Sequence, residues 1–379
     1  MSAGKIYITK SNCITPLGFD VVSNWDAVQK GISGIRQQQK TGLLDNFYAS
    51  VIDIEELNTA FHSIEKSEGF SRLEKMLILA LQPLMQSDKI SDRTAFVFST
   101  TKGNIDLLEN ETAQIESVQL SVLAKKISDY FGFKTQPVVV SNACVSGVLA
   151  IAVAKRLIQS GMYDNAYVVA GDVVSEFVLS GFNSFQAMSA SPCRPYDAGR
   201  NGVTLGEAAA AVYITSSEEE VNNHSFQILG DGAVNDANHI SGPSRTGEGL
   251  FRSIASAIKE AQIESDSINY ISAHGTATMY NDEMEAIAFN RLGLQNVPVN
   301  SLKGYYGHTL GASGLLETVL AMQSAVHNRL IVSKGYEECG VTQPVNVITQ
   351  KNEVTIDRFL KTASGFGGCN TAVLFEKVK

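Results

Sequence analysis

Residues 137–161, PVVVSNACVSGVLAIAVAKRLIQSG, decide how the rest of the chain is read. After Pro137 three valines form a β-branched run suited to a fully buried strand. The run breaks at Ser141-Asn142-Ala143 and resumes as an Ala/Val/Leu/Ile segment that ends at Gly161. Apolar residues cover nearly all sides of that segment, which predicts a buried helix and not a surface one. Cys144 falls at the junction, where the orphan N–H groups and positive dipole end of the helix would lie, and a thiol there is pushed toward thiolate. Taken alone, Cys144 reads as simply as a small buried cysteine packing like an alanine.

The chain has 379 residues, 44% hydrophobic and 18% charged, which fits a large compact enzyme better than a disordered or repeat protein. A net charge of −9 argues against general nucleic-acid binding, which needs a basic footprint. Five cysteines without regular spacing make neither a disulfide framework nor a zinc knuckle, so the reducing cytosol is the expected compartment. Met1 to Lys5 leads straight into the strand-like Ile6–Thr9 with no apolar signal core. No apolar run approaches the roughly 20 residues of a membrane helix, so no membrane span is expected.

The alternation of strands and helices indicates an α/β protein. Strands are predicted at Ile6–Thr9, Arg93–Ser99, Ala166–Gly171 and Ala208–Thr215. Helices are predicted at Trp25–Gly31, at Phe70–Ser87 with a kink or break at Pro83, and at Leu107–Tyr130. The polar stretch Gly31–Glu68 reads as mostly loop. After an acidic connection at Ser216–His224 the chain starts again, with strands at Phe226–Leu229 and Ile268–Ser272 and helices at Gly249–Ala261, Asp282–Leu292 (N-cap Asn281) and Leu315–Val326. Val297-Pro298-Val299, a Gly-rich loop and the last of these helices repeat the plan of the opening stretch, which points to an internal duplication.

Four further stretches gather chemistry. His274 sits just after a predicted strand in ISAHGTAT, and His308 sits in KGYYGHTLGASG, with Glu317 on the helix that follows. Gly365-Phe366-Gly367-Gly368-Cys369 is a glycine-dense turn before the apolar strand Thr371–Phe375. Arg194 to Glu207 mixes charges with glycines, and Asp197, Arg200 and Glu207 read first as a structural ion-pair network. Singly, each has a plain structural explanation. Together they place a potential thiolate, two histidines and a Gly-rich loop at the carboxyl ends of buried strands, where open α/β sheets hold their sites. A thiolate can take an acyl group from a thioester. Two imidazole N–H donors could polarise a second thioester carbonyl and stabilise the enolate left by decarboxylation. The N–H groups of Cys144 and of the 365–368 turn could serve as an oxyanion hole.

At this point the sequence resembles a β-ketoacyl-acyl-carrier-protein synthase of the Cys-His-His, elongating type, in the thiolase-fold superfamily. The likeness spans nearly the whole chain. Ala-Cys-x-x-Gly is present as Ala143 to Gly147, His-Gly-Thr-x-Thr as His274 to Thr278, and Lys-x-x-x-Gly-His as Lys303 to His308. Arg-Pro-Tyr-Asp-x-x-Arg-x-Gly runs from Arg194 to Gly202 and leads to Gly206-Glu207, and Gly-Phe-Gly-Gly-x-Asn is Gly365 to Asn370. The resemblance implies two pseudo-duplicated αβαβαββ halves in a layered α-β-α-β-α structure. Residues 1–217 would carry the nucleophile and 218–379 both histidines. It implies Cys144 as the acylated nucleophile and His274 and His308 as the decarboxylating pair. Lys303 and Glu317 would be a supporting ion pair, Asp282 the acid after the first histidine, and Phe366, between Gly365 and Gly367, the gate and second oxyanion donor. It implies no metal and no cofactor, since substrates come as phosphopantetheine thioesters. The implied partners are an acyl carrier protein and a second copy or related subunit, so a homodimer or heterodimer.

Several positions depart from the family pattern. Asn142 stands where many relatives have Thr or Asp, Met279-Tyr280-Asn281 replaces a Pro-containing turn, and Ala208 follows Glu207 where Gly is typical. Ser364 stands for Phe and Cys369 for Thr, and the segment between Gly103 and Phe131 is short. These leave open whether the pathway is fatty-acid synthesis or a specialised polyketide or aryl-polyene one. An acidic carrier calls for a basic patch, for which Arg72, Lys75, Lys125 and Lys126 are candidates beside a reading as solvated charge. A non-catalytic partner subunit of chain-length-factor type would lack the nucleophile. A thiolase would need a second cysteine, for which Cys369 is the candidate. A cysteine protease leaves the second histidine motif unexplained, and His274, His308 and Asp282 lack metal-ligand spacing.

Overall fold

The computed structural model describes residues 4–42, 44–85, 90–110, 114–236, 238 and 242–379. Its first half runs β1 (Tyr7–Ile14), α1 (Val21–Gln29), β2 (Ile35–Thr41), β3 (Leu44–Ser50), α2 (Ile54–His62), α3 (Arg72–Leu81), β4 (Thr94–Ser99), α4 (Leu120–Phe131), β5 (Val138–Val140), α5 (Ser146–Gln159), β6 (Asn165–Asp172), α6 (Glu176–Ser184), β7 (Leu205–Gly206) and β8 (Ala208–Thr215). The second half runs β9 (Phe226–Asn235), α7 (Glu248–Ala261), β10 (Tyr270–Ser272), α8 (Met279–Arg291), β11 (Val299–Asn300), the single turn α9 (Lys303–Tyr306), α10 (Ser313–His327), β12 (Arg358–Gly365) and β13 (Cys369–Lys377).

The main sheet has the order β5-β4-β6-β8-β1-β9-β13-β12-β10-β11. On one side β4 is parallel to β5 and β6, and β6, β8 and β1 continue antiparallel. On the other, β10 is parallel to β11 and β12, and β12, β13 and β9 continue antiparallel. The two series meet where β1 pairs antiparallel with β9. One topology is thus used twice, and the stretch from β5 into α5 has its counterpart in the stretch from β11 into α10.

Side-chain alternation along the strands divides the core into layers. Val97 of β4 and Phe359 of β12 face a central apolar cluster with Val148 and Ile151 of α5 and Leu316 and Val319 of α10. Phe96 and Phe98 face the other way, onto Leu57 of α2, Met76 and Leu77 of α3, and Ile127 of α4. Leu360 and Leu374 face Leu250 and Ile254 of α7 and Phe289 of α8. Each such side chain contributes about 1.5–3 kcal/mol on burial, so all three clusters resist separation of the layers. At the centre α5 and α10 touch: a Cβ on Gly147 would lie 2.6 Å from Gly311 O, and one on Gly314 2.6 Å from Val148 N. Only glycine permits that approach. The buried-helix reading of the opening stretch holds, because sheet and α10 surround α5, but its strand is not fully buried, because β5 is an outer edge of the sheet and Val139 is exposed.

Some local expectations fail for identifiable reasons. The segment from Gly31 to Glu68 is not mostly loop: it holds β2, β3 and α2. The first two pair as a polar hairpin, extended by β7, and α2 is capped by Asp53 and buries Leu57 and Phe61. The helix expected over Leu107–Tyr130 breaks into short 3₁₀ turns at Ile105–Glu109 and Ile115–Val118 before α4, and residues 111–113 lie outside the described residues. Pro83 ends α3 in a tight turn, Gln82–Leu84, as expected, and Gln86 and Ser87 of that stretch lie outside the described residues, as do Met1 to Ala3. Helix α8 begins three residues before Asp282, capped by Thr278 and not by Asn281.

Candidate active site

Between β5 and α5 the chain makes a strained turn. Ala143 has a φ of 44°, a left-handed conformation uncommon for a residue with a Cβ. The first residue of α5 holds it: Ser146 Oγ accepts from Asn142 N at 2.8 Å and donates to Ala143 O at 2.6 Å. Cys144 is thereby fixed just ahead of the helix, 7% exposed. The thiolate expectation is overturned. Burial pushes the Cys144 thiol up to about 12, with Cys369 acting in the same direction and Lys303 and the Phe366 N–H opposing. The start of α5 lies in the protein interior, not at its surface, so burial works against the thiolate that a helix N-terminus favours.

The two imidazoles stand edge to face, ring centres 5.1 Å apart. One ligand atom from each of Cys144, His274 and His308 lies within 4.8 Å of the other two. Burial, with Lys303 next, drives both histidines well below the usual imidazole value, so both are neutral near pH 7. The tautomer of His274 follows from Lys303, whose Nζ lies 2.7 Å from Glu317 Oε1, 2.6 Å from His274 O and 3.3 Å from His274 Nδ1. An ammonium only donates, so Nδ1 accepts and Nε2 carries the proton. His308 is held by its backbone N–H on Thr204 O at 2.6 Å and by Nδ1 against Ser313 Oγ at 3.0 Å. Among the described residues its buried Nε2 has no partner, and the ring lines a cavity.

Glu317 does more than the expected pairing with Lys303. Its second oxygen binds Lys361 Nζ at 2.6 Å, and Lys361 also donates to Ser272 O and Ala273 O, the backbone leading into His274. Lys361, Glu285, Ser313 and Phe182 went unrecognised in the sequence. Glu285 accepts from the backbone of His274 at 2.8 Å and of Gly275 at 2.6 Å, and so fixes the histidine loop. Its position three residues after Asp282 on α8 was the available signal. Asp282 accepts from Thr276 N and Tyr196 N, and burial raises it to about 6. It therefore braces the loop and is not grouped with the imidazoles. Two buried ammonium groups beside His274 also make this a poor place for a further cation.

The β12–β13 hairpin forms another wall. Gly367 and Gly368 both have positive φ, at 82° and 79°, which suits this tight reversal to glycine. A Cβ on Gly365 would lie 3.0 Å from Cys144 N, so the hairpin backbone rests against the Cys144 turn. Phe366 packs on Phe182 and Phe185, and Phe182 in turn meets the His308 ring. Cys144, His274, His308, Phe366, Thr276 and Ser364 are among the residues lining a cavity of about 450 Å³. Cys369 does not line it, and its thiol donates to Phe366 O at 3.4 Å and Asn142 O at 3.7 Å, which speaks against its use as a second catalytic cysteine.

Other expected groups are not brought together. Asp197 binds Arg194 and the amides of Glu337 and Glu338, Arg200 donates to backbone carbonyls, and Glu207 pairs with Arg72. Arg200 thus meets Asp197 only through its backbone carbonyl, 3.0 Å away, and Glu207 belongs to a separate contact, so the three do not form one ion-pair network. Arg72 is thereby engaged with a buried carboxylate. Lys75 binds Asn58, Lys125 pairs with Asp129, and Lys126 pairs with Glu74. None of the four lines the cavity.

A neutral thiol beside one fixed N–H donor and one unpartnered imidazole nitrogen, under backbone amides, is equipped for acyl transfer through a covalent thioester. Comparison with known proteins agrees. Residues 3–220 match the beta-ketoacyl synthase N-terminal domain and residues 226–334 the beta-ketoacyl synthase C-terminal domain. The chain is 26% identical to 3-oxoacyl-acyl-carrier-protein synthase 2 of Staphylococcus aureus, over 98% of either protein. It is 25% identical to the ketoacyl synthase alpha subunit of the tetracenomycin polyketide synthase of Streptomyces glaucescens, over 99% of this chain and 97% of that one. A ketosynthase from Xenorhabdus doucetiae, solved in complex with its chain length factor, superimposes with a TM-score of 0.88 at 25% identity, over 99% and 98% of the two chains. With the N-terminal domain match alone spanning more than half its length, the chain belongs to the beta-ketoacyl synthase family.

Proposed function

We propose that this chain is a β-ketoacyl-acyl-carrier-protein synthase, an acyltransferase that condenses a Cys144-bound acyl group with a malonyl thioester. In the loading half, His308 Nε2 takes the Cys144 proton, because His274 presents an N–H and has no lone pair to offer. Sγ then attacks the acyl thioester carbonyl, the N–H groups of Cys144 and Phe366 hold the oxyanion, and the departing carrier thiolate recovers the proton. In the second half, His274 Nε2–H polarises the malonyl thioester carbonyl. His308 adds a second donor, since the Ser313 hydroxyl can accept from Nδ1 or donate to it and so permits either tautomer. Loss of carbon dioxide leaves an enolate, which attacks the Cys144 thioester and releases the β-ketoacyl product with Cys144 as the leaving group. Lys303 and Glu317 keep His274 in its donor tautomer.

The observation that carries this reading is the mutual approach of Cys144, His274 and His308 on one cavity wall, with the His274 tautomer set by Lys303. We place both substrates on an acyl carrier protein and propose a homodimer or a heterodimer with a related subunit, working in a reducing cytoplasm. Two features support this: the relative from Xenorhabdus doucetiae is solved with a chain length factor, and β5 leaves an outer edge of the sheet with Val139 37% exposed. Among the described residues no helix is long and apolar enough to cross a membrane. A specialised polyketide or aryl-polyene pathway stands beside fatty-acid synthesis, and the chain is divided at residues 217 and 218 into a nucleophile half and a histidine half. No cofactor or metal enters this scheme. Protein incubated with a panel of acyl-carrier thioesters should gain one acyl mass, located on Cys144 by peptide mapping. No gain with any length or unsaturation, together with stabilisation of an active synthase by this chain, would favour the partner-subunit reading.

A further inference from the structure

Ser364, Asn370 and Asp236 line the same cavity and have no part in the scheme above. Ser364 and Asn370 face each other in the register of β12 and β13 and are 5% and 3% exposed. The neighbours of Asn370 fix its amide: Nδ2 lies 2.9 Å from Gly368 O and 3.2 Å from Asp236 Oδ2. A carbonyl and a carboxylate oxygen accept only, so the nitrogen points to them and Oδ1 points to Ser364 Oγ, 2.8 Å away. The hydroxyl proton therefore goes to Asn370. A serine has one proton to donate, so Ser364 shows the cavity lone pairs only, and the amide protons of Asn370 are engaged as well.

We propose that Ser364 Oγ, held as an acceptor by Asn370 and Asp236, is a specificity-determining contact that receives an amide N–H or hydroxyl donor of the thioester substrate. This rests on the reading that carrier-linked thioesters occupy the cavity. A substrate without the donor displaces water from the acceptor and leaves it unsatisfied, which costs about tenfold in affinity. The donor comes either from the acyl group or from the amides of the pantetheine arm.

Two matched pairs of unreactive thioether analogues separate these sources. One pair differs by a hydroxyl on the acyl mimic. The other differs by N-methylation of the pantetheine amides, which removes the N–H donors and keeps the carbonyls. Calorimetric binding to wild type should favour the donor-bearing member of one pair by about tenfold. Ser364→Ala should abolish that preference and Ser364→Thr, which keeps the hydroxyl, should retain it, with circular dichroism and melting checking that both variants fold. A preference in the hydroxyl pair assigns the contact to the acyl group, and one in the amide pair assigns it to the arm. No binding, no preference in either pair, or a preference that survives Ser364→Ala overturns the proposal. The analogues cannot acylate Cys144, so failure of wild type to load is a separate result that counts against the catalytic reading.

Discussion

Cys144→Gln should leave condensation undetectable, a loss of at least about 10⁴-fold, while malonyl-carrier decarboxylation continues. In the proposed scheme Cys144 is needed only to hold the acyl group. His274 Nε2–H, His308 and the backbone donors are untouched by the change, and glutamine brings no charge into the buried turn. Decarboxylation should hold its rate as the pH is lowered from about 8 to about 6.5, because both histidines titrate well below the usual imidazole value of about 6.5 and stay neutral throughout. The checks are carbon dioxide release and product mass on the same folded sample. Loss of decarboxylation in a well-folded Cys144→Gln protein would remove that step from the two histidines.

Glu317→Gln should be the most damaging substitution away from the reacting atoms. The carboxylate is 2% exposed and lies 2.7 Å from Lys303 Nζ and 2.6 Å from Lys361 Nζ, both with fully buried side chains. Neutralising it leaves two ammonium groups side by side without the carboxylate they share, and breaking a single buried pair already costs about 3–5 kcal/mol. Burial already lowers the pKa of Lys361 and Glu317 is the first influence holding it up, so the variant should drive it toward the neutral amine. Urea unfolding should report a loss of at least about 3 kcal/mol, and activity should fall as the His274 tautomer is released. Lys361→Met, which leaves the Lys303–Glu317 pair, should be milder on both counts. A Glu317→Gln midpoint at the wild-type value would mean that the three charges do not act as a unit.

The centre of the fold was legible because its residues are unambiguous in isolation. Val138–Val140 read as a strand and the apolar α5 as a buried helix, whereas the edge position that leaves Val139 exposed and the close approach at Gly147, Gly311 and Gly314 come only from the fold. The order of Cys144, His274, Lys303, His308, Glu317 and Phe366 along the chain carried the candidate site. What was not legible depends on contacts between distant segments. Lys361 lies inside a strand where a lysine suggests an exposed edge, and only the fold brings Glu317 and the carbonyls of Ser272 and Ala273 to it. Phe182 and Phe185 lie on or just after α6, which nothing in their local pattern ties to Phe366. The β2–β3 hairpin is polar, and its strands are set by pairing and not by hydrophobic alternation. The protonation of Cys144 was misjudged because a helix start in sequence does not say how deeply that start is buried.

The most direct measurement follows both carbons of the condensation at once. Wild-type protein, first loaded with an acyl group on Cys144, is given malonyl-carrier protein labelled in its free carboxyl group. Released label, β-ketoacyl-carrier product and residual acyl-Cys144 are then counted in one sample. Decarboxylative condensation on Cys144 predicts one labelled carbon dioxide and one β-ketoacyl product for each acyl group lost from the cysteine. Carbon dioxide released while the acyl group stays on Cys144, or product that keeps the label, would contradict it.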